Sequence, residues 1–157
     1  MKCSPSPAAS ARGFLLLIPL LMFVACASQK SPAASHATLQ KTIRAYNDAF
    51  EAKQPAIAEP FVRRDIRDLF KEKYREIRKQ VTFDEMEPMK IEYFKDGVRV
   101  KQSGPGPEED FNEAVLTVRY NVVISPSNRV KTITVRQKWI REDGQWVVVP
   151  NLTPFSR

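Results

Sequence analysis

The chain has 157 residues, 43% of them hydrophobic and 27% charged, with a net charge of +7. That length suits one ordinary domain rather than two, and the hydrophobic share excludes a disordered chain. Residues 1–13 carry Lys2 and Arg12 and no acid, and the run from Phe14 to Ala25 carries no charge at all. A basic n-region followed by an apolar h-region is the pattern of an export signal. A membrane-spanning helix needs about 20 apolar residues. This run is shorter and contains Pro19, so export is the expectation rather than a permanent span.

The apolar run closes on Phe23-Val24-Ala25-Cys26. These residues resemble the lipobox of bacterial lipoproteins, in which a small residue stands just before a Cys. The resemblance implies a signal peptide over residues 1–25 and a mature chain whose first residue, Cys26, carries diacylglyceryl and N-acyl groups, with chains such as palmitate. It also implies a location in the cell envelope, where Ala27 favours the outer membrane, facing the periplasm. Several acyl chains anchor stably where one does not, since each buried CH₂ contributes about 0.8 kcal/mol. The alternative is Ala25-Cys26-Ala27 as an ordinary signal peptidase site, which would release a soluble domain beginning at Ser28. Cys3 lies in the n-region, so the mature lipoprotein has no second Cys for a disulfide. Its domain must then be held by a core, and residues 38–157 are numerous enough to bury one.

Residues 26–37 read as the lipidated Cys and a flexible tether, small and polar with no large apolar side chain. The chain's single histidine, His36, falls in that tether. The folded part is therefore expected to lack an imidazole base, a His-based metal site and a cofactor of that kind.

From Thr38 the apolar period is helical: Leu39, Ile43, Tyr46, Ala49 and Phe50 share a stripe, with Thr38 or Ser35 able to cap it. Lys53-Gln54-Pro55 ends that helix, a short second one starts at Pro55, and Pro60 breaks it. Residues 63–80 are predicted as one amphipathic rod, with Ile66, Leu69, Phe70, Tyr74 and Ile77 inward and Val81 at its end.

After Val81 the period changes to two. Met89, Ile91 and Tyr93 are predicted to point inward, and Lys95-Asp96-Gly97 to turn into a strand at Val98. The stretch from Ser103 to Asp110 is too rich in Pro and Gly for a regular strand. Leu116, Val118, Tyr120, Val122 and Ile124 mark the inward face of a long strand. Ile133, Val135 and Trp139 mark the next, Asp143-Gly144 a tight turn, and Trp146 to Val149 the last. Helices followed by an antiparallel meander of about five strands predict an α+β domain with the N-terminal helices on one face of a curved antiparallel sheet.

Two segments carry a resemblance: the leading helix with Tyr46-Asn-Asp-Ala-Phe50, and the closing hairpin from Val135 to Val149. Residues 38–152 resemble the superfamily of nuclear transport factor 2-like and cystatin-like folds, cone-shaped rolls in which a long helix lies in a curved sheet. The resemblance implies a concave, aromatic-lined mouth, with Tyr46, Phe50, Tyr93, Tyr120 and Trp139 as candidate lining of a pocket for a hydrophobic small molecule. Ketosteroid isomerase, which the fold also resembles, would supply an enzymatic alternative of the isomerase or dehydratase type, with Tyr46 as oxyanion donor. That chemistry also needs an inward carboxylate, and the predicted inward sets contain no Asp or Glu.

Removing Lys2 and Arg12 from the 25 basic residues leaves 23 against 18 acidic ones, a net +5. Arg63, Arg64, Arg67, Lys71, Lys73, Arg75, Arg78 and Lys79 face only Asp65, Asp68, Glu72 and Glu76 on residues 63–80. One reading is a solvated face laced with pairs such as Asp68–Lys71. The other is contact with anionic lipid headgroups through Arg64, Arg67, Lys71 and Arg75, each contributing up to about 1 kcal/mol near a membrane surface. Nucleic acid is not an expected partner of an exported chain. The sequence thus predicts a lipid-anchored envelope protein with a non-catalytic binding or interaction domain, its partner an envelope protein or a hydrophobic small molecule.

Overall fold

The computed structural model describes residues 31–155; the segment expected to be an export signal, Cys26 and the chain up to residue 30 lie outside them. The first helix, α1 (Pro32–Glu51), begins before the apolar period does. Ser31 accepts the backbone N–H of Ala34 at 3.3 Å and Pro32 takes the first helical position. Both are start signals that need no apolar residue. Residues 32–37, expected in the tether, are therefore helical. Their small side chains carry good helix propensity, and α1 finds a surface to lie on. Ser35 is buried, the His36 ring meets Tyr93 edge-on at 5.6 Å, and a Cβ on Gly106 would stand 3.4 Å from His36 Nδ1.

Further along α1 the buried stripe is the predicted one: Leu39, Ile43, Tyr46, Ala49 and Phe50. Beyond its end Lys53 adopts a left-handed conformation (φ 57°), and Pro55 opens the short α2 (Pro55–Ala58). Tight turns at Glu59–Phe61 and Arg64–Ile66 lead to α3 (Arg67–Gln80). The rod expected from residue 63 is thus a turn followed by a 14-residue helix. Only Phe70, Tyr74 and Ile77 of α3 are buried; Leu69, expected on the same stripe, is 55% exposed. It lies about 100° around the helix from Phe70, outside a stripe only three residues wide.

α3 passes straight into β1 (Val81–Lys95), followed by β2 (Val98–Arg99), β3 (Gln102–Ser103), β4 (Gly106–Pro107), β5 (Glu113–Ile124), β6 (Arg129–Glu142) and β7 (Gln145–Val149). Five of these form one antiparallel sheet in the order β2-β1-β5-β6-β7. Asp96-Gly97 (φ 49° and 80°) and Asp143-Gly144 (φ 49° and 77°) make the predicted two-residue turns, where both residues need positive φ. Where no strand was expected, Gln102 and Ser103 pair with Pro107 and Gly106 in a two-residue ladder.

β1 begins at the end of α3, earlier than the alternation shows, and its pairing with β5 shifts at Phe83/Glu85 and at Pro88/Lys90. Each bulge adds a residue, bends the strand and re-aims a side chain. Met89 is the extra residue at the second bulge, and instead of pointing inward it is 54% exposed.

The helices cover one face of the curved sheet, the α+β arrangement predicted. Its core is unusually aromatic. Phe50 lies 4.9 Å from Tyr74, 5.2 Å from Phe83, 5.8 Å from both Tyr46 and Phe155, and 6.1 Å from Tyr120, ring centre to ring centre. Rings at these distances attract one another beyond the area they bury.

Candidate functional site

The five aromatic residues expected to line a pocket pack against one another and against the core instead. Tyr46, Phe50, Tyr93, Tyr120 and Trp139 are each at most 2% exposed, and Tyr46 meets Trp139 edge-on at 5.7 Å. Burial, then the neighbouring Tyr120 and Tyr74 phenols, push the Tyr46 hydroxyl well above its usual range. Tyr74, whose hydroxyl donates to the Phe50 carbonyl at 2.5 Å, is pushed up to about 12, chiefly by burial. Tyr46 is thus a buried core residue whose hydroxyl is kept protonated.

What alternation of apolar residues overlooked is Gln137. It shares the inward phase of β6 with Ile133, Val135 and Trp139 and is 3% exposed. Its Nε2 donates to Asn47 Oδ1 at 2.7 Å and to the Tyr120 hydroxyl at 3.0 Å. Tyr120 in turn donates to Asn47 Oδ1 at 2.7 Å, and Asn47 Nδ2 donates to the Ile43 carbonyl at 2.9 Å and to Gln137 Oε1 at 3.4 Å. Three polar side chains from α1, β5 and β6 so satisfy one another inside an aromatic core, as buried polar groups must. One turn on, Glu51 stands at the core margin with Oε1 buried and without a hydrogen bond. Burial, then the Asp48 charge, raises its carboxyl above the ordinary range.

Asn47 also reaches a cleft of about 260 Å³ between α1 and the bulged half of β1. Ile43, Met86, Met89, Ile91 and Leu116 give it an apolar lining, with Gln40 and Arg44 on the α1 side and Lys90 on the β1 side. Lys90 is paired with Glu92 at 3.1 Å. Arg44 has no acidic partner among the described residues. None of the side chains lining the cleft is a carboxylate, an imidazole, a thiol or a hydroxyl. Position explains the cleft: the second bulge turns Met89 out of the core and towards the gap, and Pro88 removes a backbone donor from a strand whose outer edge carries only β2, at its far end.

Of the four basic residues expected to meet headgroups, only Lys71 and Arg75 share a site. Arg67 is folded back, donating Nε to the Val62 carbonyl at 2.9 Å and Nη2 to the Pro60 carbonyl at 3.0 Å. Lys71 is paired with Asp68 at 2.8 Å and Glu59 at 3.5 Å, and the hydrogen bond to Asp68 holds its ammonium above the usual range. Arg64 lies in a shallow depression with Arg63, Asp65 and Glu142. Arg75 lines a separate cleft between α2 and α3 together with Lys71 and Arg78.

Among the described residues no group of three or more His, Cys, Asp or Glu could hold a metal ion, and no helix is long and apolar enough to cross a membrane. The sequence matches no family model and no curated protein. Among solved structures, a putative calcium/calmodulin-dependent protein kinase II association domain from Xanthomonas campestris is similar over 76% of this chain and 84% of its own, at 11% identity and a TM-score of 0.44.

Proposed function

We propose that this chain is a lipid-anchored envelope protein whose α+β domain binds, without transforming it, an amphiphile with an apolar chain and an anionic head. The observation that carries this reading is the α1–β1 cleft: an apolar lining, a guanidinium at its rim with no acidic partner among the described residues, and no carboxylate, imidazole, thiol or hydroxyl in its lining, where the one amine, Lys90, is held as an ammonium in an ion pair with Glu92. Small-molecule sites are concave and largely apolar, with a few placed polar groups that fix orientation. At about 30 Å³ for a water-sized group, 260 Å³ holds roughly nine such groups, the size of a medium-length alkyl chain. The anchor rests on the lipobox residues and Cys26. From Cys26 to Ser31 the chain can reach at most about 18 Å, which would keep the domain at the membrane surface.

The test is calorimetry with decanoate and decanol. Decanoate binds more tightly than decanol, and Arg44→Glu weakens decanoate about tenfold or more while leaving decanol unchanged, since a hydrogen bond to a charged group contributes about 1.5–3 kcal/mol. Equal binding of acid and alcohol, or binding of neither, would refute the reading.

A further inference from the structure

A second cleft, of about 300 Å³, lies between α2 and α3, lined by Pro55, Ala56, Glu59, Lys71, Tyr74, Arg75 and Arg78. Its cations stand on one stripe of α3, at positions i, i+4 and i+7, so they line one side of the cleft over about 10 Å of helix. They differ in how they are held. Lys71 spans Glu59 and Asp68 and is neutralised by them. Elsewhere on this segment Arg63 is held by Asp65 and Lys79 by Glu76, and Arg67 is spent on two carbonyls. Arg75 and Arg78 have no acidic partner among the described residues, although Glu72 and Glu76 lie on the same helix. Arg64 and Lys73 are in no ion pair among the described residues either, but neither lines this cleft, so Arg75 and Arg78 are the two unanswered cations at the concave site. Arg78 is also close enough to the cleft floor for its charge to act on the Tyr74 hydroxyl.

From this placement we infer that the α2–α3 cleft is a phosphate site, in which the Arg75 and Arg78 guanidiniums hold a phosphate or phosphate ester between them. Guanidinium forks match phosphate oxygens two at a time, and two forks facing one tetrahedral anion answer its double charge where a lone fork does not. Lys71 closes the end of the cleft beside Glu59, and Glu59 sets the limit to the anion's size and charge there. The site is independent of the α1–β1 cleft and of what that cleft binds. The set differs from the one periodicity suggests: Arg78 enters it, while Arg67 and Arg64 leave it. The phosphate can come from a soluble ester or from a lipid headgroup, and the experiment separates the two.

Residues 27–157 carry the whole core described above and lack Cys26, so no lipid anchor contributes to what they bind. Inorganic phosphate is titrated into this protein with the arginine Nε–H signals followed by NMR, and in parallel its sedimentation with vesicles of phosphatidylglycerol and phosphatidylcholine is measured. Arg75→Gln/Arg78→Gln is compared with Arg64→Gln/Lys73→Gln, which removes equal charge from the same segment outside the cleft. The expected result is saturable shifts at Arg75 and Arg78, with binding weakened at least tenfold in the first pair and less than twofold in the second. Binding of free phosphate identifies a soluble ester as the source. Vesicle binding that the first pair alone abolishes, without binding of free phosphate, identifies the headgroup. Equal weakening in both pairs would mean general attraction to a basic surface and would overturn the site, as would no binding in either arm.

Discussion

Replacing Asn47 with leucine keeps most of the side-chain volume and removes four hydrogen bonds at once. The Ile43 carbonyl has the backbone of α1 as an alternative partner, and Gln137 Nε2 keeps the Tyr120 oxygen at 3.0 Å. Two buried groups are left without a partner: the Tyr120 hydroxyl proton, which had only Asn47 Oδ1, and Gln137 Oε1, which had only Asn47 Nδ2. Stranding a buried polar group costs about 1–3 kcal/mol, so Asn47→Leu is expected to cost about 3 kcal/mol. Tyr120→Phe costs less, about 1 kcal/mol, because Asn47 Oδ1 still accepts from Gln137 at 2.7 Å. Replacing all three residues together, with leucine at 47 and 137 and phenylalanine at 120, removes donors and acceptors alike and costs far less than the three single changes summed. Urea unfolding of the single and combined variants, followed by the two tryptophans, measures these differences. A cost for Asn47→Leu below about 0.5 kcal/mol, or strict additivity across the set, would show that the three side chains do not act as one buried unit.

Two other expectations follow, one from the structure and one from the sequence. Glu51, whose carboxyl is raised in the folded state, loses stability as the pH climbs from the ordinary glutamate range through that raised value. Glu51→Gln therefore matches the parent protein near pH 4 and exceeds it at pH 8 by roughly 0.5 kcal/mol, a figure reduced for the carboxylate's partial exposure. Thermal melts across that range check this, and a constant difference at all pH values would refute it. Cys26→Ser is expected to shift the protein from the membrane to the soluble fraction and to remove the acyl mass from its N-terminus; an unchanged distribution would refute the anchor.

Where a local rule decides the structure, the sequence is easy to read. Asp96-Gly97 and Asp143-Gly144 announce their turns because few other residue pairs accept positive φ twice in succession. β5 alternates without a break from Glu113 to Val122, so its buried face follows from period alone. Legibility fails where a distant partner decides. Residues 32–37 are small and polar and resemble a linker, and it is the Tyr93 ring, Gly106 and Arg141, far along the chain, that give them a surface. Gln137 looks like an interruption of an apolar phase until Asn47, 90 residues away, is brought beside it. Met89 follows the alternation on paper, but the bulge after Pro88 inserts a residue and reverses its direction. The clefts share this origin, since neither is contained in one segment: one needs α1 beside a bulged β1, the other α2 beside α3.

The buried amides and the open cleft are two aspects of one arrangement. Through Asn47, α1 is bonded to Tyr120 on β5 and Gln137 on β6, and near its start Ser35 accepts from Arg141 of β6 at 3.4 Å. These bonds draw the helix towards the middle of the sheet. Against β1 it is met at one end by the His36–Tyr93 ring contact, and beyond that point the bulged strand curves away with Met86 and Met89 facing the gap. A helix secured to β5 and β6 leaves room on the β1 side, and flexible methionines can adjust there to what enters. Asn47 is thus both the bond that fixes α1 and part of the cleft lining, so Asn47→Leu should weaken decanoate binding together with the fold. Tyr120→Phe, which leaves the cleft lining untouched, should lower stability alone. If both variants bind decanoate as the parent does, the position of α1 does not set the shape of the cleft.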